Sequence, residues 1–124
     1  RLQEVIKMKL EEIRQRVAAA TEGPWSPNSD INYDRGKARL IWGPKGPGYG
    51  SIAAVQVDYP NIPRENDCIF IANARQDIPW LISEIDRLNS GIDNVLYDLR
   101  NEDITDPNVI ASIAENLAAV LNGK

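Results

Sequence analysis

The side chains able to do chemistry in this 124-residue chain are nearly all carboxylates, because it contains no histidine and only one cysteine, Cys68. Histidine is the usual general acid or base near neutral pH and the commonest transition-metal ligand. Its absence removes Ser-His-Asp and Cys-His nucleophile activation and every Cys/His zinc arrangement. A carboxylate-only or Mg²⁺-dependent hydrolase survives that cut. The candidates Asp67, Asp77, Glu84 and Asp86 fall at no recognisable catalytic spacing. Glu84 and Asp86 project to different helix faces, and Asp67 and Asp77 suit helix caps. Cys68 sits in an apolar helical stretch and reads as a small buried hydrophobe. The expectation is a protein that is not an enzyme and takes no cofactor or metal.

Binding chemistry is better supplied. Trp25, Tyr33, Trp42, Tyr49 and Tyr59 lie in the extended middle region, interleaved with Arg35, Lys37, Arg39 and Lys45. An aromatic face stacks a base with about 1–3 kcal/mol, and an Arg fork recognises phosphate. The competing reading makes Trp25 and Trp42 core residues that seal a small sheet. The loop Gly43 to Gly50 invites a phosphate-binding interpretation but fails the P-loop pattern, since it leads into a strand and no Gly-Lys-Ser/Thr follows. It reads instead as a Pro/Gly-rich connection, mobile enough to fold over a ligand as a flap. A net charge of −4 disfavours duplex DNA or RNA as a partner. The N-terminal residues show no signal-peptide pattern, no apolar run reaches the ~18–20 residues of a membrane span, and a lone cysteine forms no internal disulfide. These features suggest a reducing, cytoplasmic setting.

The elements that must position these residues follow from periodicity. Hydrophobic residues at 43% and charged ones at 26% fit one globular domain over residues 1–124. Leu2, Ile6, Leu10, Ile13, Val17 and Ala20 recur at helical spacing, and Gly23-Pro24 ends that helix. Three short antiparallel strands are expected in 24–63: one around Ile31–Tyr33, one at Ala38–Trp42 and one at Ser51–Asp58, with a turn at Asp34–Lys37. A short helix capped by Asn66 or Asp67 then runs to about Arg75, with Ile69, Phe70 and Ala74 inward. Asp77 caps the next, Pro79 lying in its first turn. That helix places Ile78, Leu81, Ile85, Leu88, Ile92, Val95 and Leu99 at alternating three- and four-residue steps, the seam of a helix that pairs with another. Gly91 either bends or ends it. Thr105-Asp106-Pro107 starts a last helix with Val109, Ile110, Ile113, Leu117, Val120 and Leu121 on one side. The fold class is α+β: an N-terminal helix, a β-meander, and two to three C-terminal helices. The seam favours a homo-oligomer, although plain monomer core is the alternative.

Two stretches carry a resemblance. Ala20-Thr21-Glu22-Gly23-Pro24-Trp25, and then Asn66-Asp67-Cys68-Ile69-Phe70-Ile71-Ala72-Asn73-Ala74-Arg75-Gln76-Asp77-Ile78-Pro79-Trp80-Leu81, resemble a widespread group of small phage and prophage proteins. Their pattern is A-T-x-G-P-W followed by D-A-x-F-I-A-x-A-R-x-D-V-P-x-L-L. The match spans Lys9 to about Asn89. It departs at Cys68, where the group has Ala or its neighbour, at Ile78 for Val, and at Trp80-Leu81-Ile82 within the final apolar stretch. The chain is also similar to phage counter-defence proteins of the Thoeris anti-defense type. That similarity implies sequestration of a cyclic ADP-ribose isomer or cyclic oligonucleotide, unchanged, in pockets between subunits. On this reading Trp25, Trp42 or Phe70 stacks on the ligand, Arg39, Arg75 or Arg100 meets its phosphates, and Asn73 hydrogen-bonds to it. The alternative is an adaptor or inhibitor that docks on a host protein through its seamed helix or acidic surface.

Overall fold

The computed structural model describes residues 2–34, 36–58 and 63–123. It has the expected α+β arrangement: α1 (Leu2–Ala19), strands β1 (Ser26–Tyr33), β2 (Gly36–Trp42) and β3 (Ala53–Gln56), then α2 (Glu65–Asn101) and α3 (Pro107–Leu121). Contacts divide the chain into two compact units, residues 1–80 and 81–124, and α2 contributes its first turns to one and the rest to the other. No helix among the described residues is long and apolar enough to cross a membrane.

In the first unit the strands form an antiparallel meander in the order β1-β2-β3. The β1–β2 hairpin is closed by the pair Tyr33↔Gly36, with Asp34 in the turn that the sequence suggests; Arg35 lies outside the described residues. Both strands are longer than their apolar centres predict, and β3 is shorter. At the end of β3 the ladder passes from backbone to side chain: Val57 N–H donates to the Lys37 carbonyl at 3.0 Å, and Lys37 N–H donates to the Asp58 carboxylate. Ile41, Cys68 and Ala72 are the buried centre, with Trp25, Ala53 and Val55 packed on it. This corrects the inward face assigned to the start of α2. Phe70 is 75% exposed and Ile69 is also exposed, while Cys68 and Ala72, four residues apart, face the sheet. A thiol and a methyl let the helix approach the strands more closely than Ile and Phe would allow.

The break expected between Arg75 and Asp77 does not occur. One helix of 37 residues runs from Glu65 to Asn101 with Pro79 inside it. Asp77 is therefore a mid-helix residue and not a cap. Proline's fixed φ is helical, and its missing N–H forfeits one bond to the carbonyl four residues back. Anchorage of the preceding turns by Cys68, Ala72 and Arg75 offsets that loss.

The second unit is a helical hairpin. Asp106 caps α3, its side chain accepting from Asn108 N–H at 2.9 Å. In the connection, Asp103 accepts from both the backbone N–H and the hydroxyl of Thr105, which holds its carboxyl below the usual range. Gly91 does not end α2, and a Cβ there would lie 2.3 Å from a Val120 methyl. It is a close-approach residue. Arg87 binds the end of α3, donating from Nη1 to the Val120 carbonyl at 2.7 Å and from Nε to Glu84 at 2.6 Å.

Alanine in place of glycine ordinarily stabilises a helix interior by about 1 kcal/mol. Gly91→Ala is expected to do the opposite here and destabilise by about 1–3 kcal/mol, because Val120 must give way. Urea unfolding followed by circular dichroism measures the sign.

Candidate binding site

The two stretches that carry the resemblance converge on one backbone atom. The carbonyl of Thr21 accepts from Trp25 Nε1 at 3.0 Å and from Arg75 Nε at 2.8 Å. A carbonyl oxygen has two lone pairs, and both are used. The intervening Gly23 has no room for a side chain: a Cβ would meet Arg75 Cγ at 2.9 Å and the end of Gln76 at 2.4 Å. The Thr21–Trp25 segment is thus clasped to α2, and the Trp25 ring is half-buried against Ile41, Cys68 and Ala72. Arg75 and Trp25 act here as structural groups.

A bulge in β1 settles the roles of Trp42 and Arg39. The register slips between Pro27 and Asp30, and Ser29 takes a left-handed conformation, φ 71°. The carbonyl of Asn28, released from the ladder, accepts from Trp42 Nε1 at 2.8 Å. Asp30 is brought opposite Arg39 and accepts from its Nε at 2.9 Å. That hydrogen bond, aided by the guanidinium charge, holds the Asp30 carboxyl below its usual range and raises Arg39 further. A phosphate reaching Arg39 must compete with Asp30. Burial pushes the Cys68 thiol up, which keeps it protonated and unreactive.

The other expected ligand residues are more open. Phe70 is exposed, and Asn73 is exposed with its amide donating back to the Ile69 carbonyl at 2.9 Å. Arg100 is exposed in the last turn of α2 and belongs to the second unit. Of the expected set, the structure joins only Trp25 and Arg75 through a shared partner. Tyr59 lies outside the described residues.

An open cleft of about 490 Å³ lies instead along the Pro/Gly-rich loop, between Thr21-Glu22 and Gly43–Ile52. Its volume is within the range that holds small ligands, roughly 300–1,000 Å³. Lys45 and Tyr49 both line it, the Lys45 ammonium standing 5.1 Å from the centre of the Tyr49 ring. Glu22 supplies a negative charge on the opposite wall. Gly46 and Gly50 both have positive φ, which explains why glycine occupies these turn positions. Trp42 lines an adjoining depression of about 250 Å³ with Pro24, Pro44 and Pro47, which shares Gly43, Pro44 and Gly46 with the cleft. Among the described residues no group of three or more Cys, Asp or Glu could hold a metal ion.

Sequence reasoning placed Lys45 and Tyr49 in a flap but missed Thr21, whose part is played by a backbone atom that no side-chain pattern reveals. Comparison with family models, with curated proteins and with solved structures returns no match.

Trp25→Phe removes one hydrogen bond to Thr21 and keeps most of the packing, so a loss of about 1 kcal/mol is expected. Trp25→Ala also leaves a cavity beside Ile41 and is expected to cost roughly 3 kcal/mol. Equal losses in denaturant unfolding would show that the ring, and not the clasp, is dispensable.

Proposed function

We propose that this chain acts by binding, without turnover, as a helical interaction module whose apolar faces dock on protein surfaces. The observation that carries this reading is α1. Along its seam Leu10, Ile13 and Val17 are half-buried, while Leu2 and Ile6, with neighbouring Val5 and Met8, stand in solvent. None of the described residues of α1 is buried. Each square ångström of such surface left in water forgoes about 25 cal/mol, and contiguous apolar patches mark interaction sites. An isolated helix of this length is marginal in water. Its first turns are expected to be held only when their face is covered.

Hydrogen–deuterium exchange provides the test. The amides near Val5 and Met8 should gain protection as the protein associates with itself or with a protein partner. Val5→Asp with Met8→Asp should abolish that gain while β1–β3 stay protected. Fast exchange of these amides under every condition of association would sink the proposal.

A second reading keeps the small nucleotide signal, a cyclic ADP-ribose isomer or cyclic oligonucleotide, as ligand. It is favoured by the cleft, where Tyr49 offers a ring face and Lys45 a charge for a phosphate. The wild-type melting point should then rise with such nucleotides, by an amount equivalent to about 4 kcal/mol at a thousandfold excess over Kd. Lys45→Ala should weaken the response. A melting point indifferent to the whole nucleotide set discards this reading.

A further inference from the structure

We infer that the outer edge of β3 receives the end of an extended peptide, whose C-terminal carboxylate enters the adjoining cleft and meets Lys45. This goes beyond the docking of α1 and gives the cleft an occupant other than a nucleotide.

The hydrogen-bond parity of the sheet fixes which groups of β3 are free. Val57 N–H donates to the Lys37 carbonyl at 3.0 Å, in step with the Arg39↔Val55 and Ile41↔Ala53 pairs. Backbone groups point to alternate sides along an antiparallel strand, so Ala53, Val55 and Val57 turn theirs toward β2. Ala54 and Gln56 turn theirs outward, where β3 has no neighbouring strand among the described residues. Each presents one N–H and one C=O, and Ala54 is exposed. No backbone group among the described residues answers either pair from outside the sheet.

The two margins of the sheet are not alike. β1 carries Pro27, a register slip with left-handed Ser29, and the charged Asp30, features that turn an added strand away. The β3 sequence Ala-Ala-Val-Gln has neither proline nor charge. It is four residues long and so extends for about 13 Å, which suits one short segment of chain. An added strand draws its affinity from main-chain groups, whatever side chains it carries. Selectivity has to come from what adjoins the edge.

The cleft adjoins it. Ser51 and Ile52 line the cleft and lead directly into Ala53, the first residue of β3. A strand added antiparallel, the more stable ladder, runs against β3 and delivers its C-terminal end to the Ser51 side. There Lys45 supplies an ammonium steadied over the Tyr49 ring. Ser51 N–H has no backbone acceptor among the described residues and offers a carboxylate a second donor. A Cβ on Gly46 or Gly50 would meet nothing within 4 Å, so the loop backbone is open to close approach. A parallel strand would bring an N-terminal ammonium to the cleft instead, against the like charge of Lys45. Glu22 on the opposite wall is the feature that favours that reverse polarity, and it makes the polarity testable.

A random hexapeptide library, tethered by its N-termini so that the carboxyl ends are free, is the probe, and the same library with amidated ends is the control. The full chain should select peptides from the free-acid library only. A selected peptide, titrated by fluorescence anisotropy, should lose affinity about tenfold on amidation or with Lys45→Gln, and gain it with Glu22→Gln. Its binding should slow amide exchange at Ala54 and Gln56, followed by NMR. Ala54→Pro removes an outward N–H and leaves the β2 ladder intact, so it should abolish binding with an unchanged circular dichroism spectrum. If that variant disturbs the sheet, Lys45→Gln carries the test. Selection of no peptide, equal selection from the amidated library, or binding that leaves exchange at Ala54 and Gln56 untouched overturns the inference. None of these results alters the α1 exchange test at Val5 and Met8, and a nucleotide that raises the melting point where no peptide is selected assigns the cleft to the nucleotide.

Discussion

The carbonyl oxygen of Thr21 accepts one hydrogen bond from the Trp25 indole and one from the Arg75 guanidinium, and the first unit is organised around that pair. It fixes the chain just after α1, where a helix would otherwise run out into an untethered loop. It orients Trp25 so that the ring reaches Ile41, Cys68 and Ala72. It also ties the opening turns of α2 to a segment about fifty positions earlier, a contact that local propensity could not supply. Gly23 is part of the same constraint, since any side chain there would occupy the space of Arg75 and Gln76.

With α2 anchored in this way, its continuity becomes understandable. Asp77 and Pro79 together make a sound local signal for a helix start, yet the helix runs through both. The lost hydrogen bond at proline is a fixed cost, while ending the helix would have forfeited the packing of the turns on either side. Gly91 shows the same ordering of effects. Its low helix propensity is outweighed by the close approach to Val120, and Arg87 donates to the Val120 carbonyl at the end of α3, which also accepts from Gly123 N–H.

Function follows from what these constraints leave over. The indoles and two of the three arginines that could have met a nucleotide are engaged by the chain's own Thr21, Asn28 and Asp30. Among the described residues, exposed apolar side chains on the helices and an open cleft bearing a lysine and a tyrosine face water. Both suit a protein that recognises something. The absence of histidine removes, from composition alone, the commonest routes to acid–base and metal chemistry.

The sequence by itself determined the α+β class, the three-stranded meander, the ends of α1 and α3 and the inert, buried Cys68. These depend on period, capping and turn chemistry that act within a few residues. It also marked the apolar stripe of α2, since heptad spacing is visible without any partner. Only the tertiary structure decided that α2 is unbroken, that Cys68 and Ala72 and not Ile69 and Phe70 face the sheet, and that Trp25 and Arg75 share a carbonyl. A stripe's period does not specify its phase relative to a neighbour, and a backbone acceptor leaves no mark in side-chain composition. The same limit split the apolar side of α3 into Val109, Ile113 and Val120, turned toward α2, and Ile110 and Leu121, left facing outward. A side chain one position further along a helix points about 100° away, and that rotation separates core from surface.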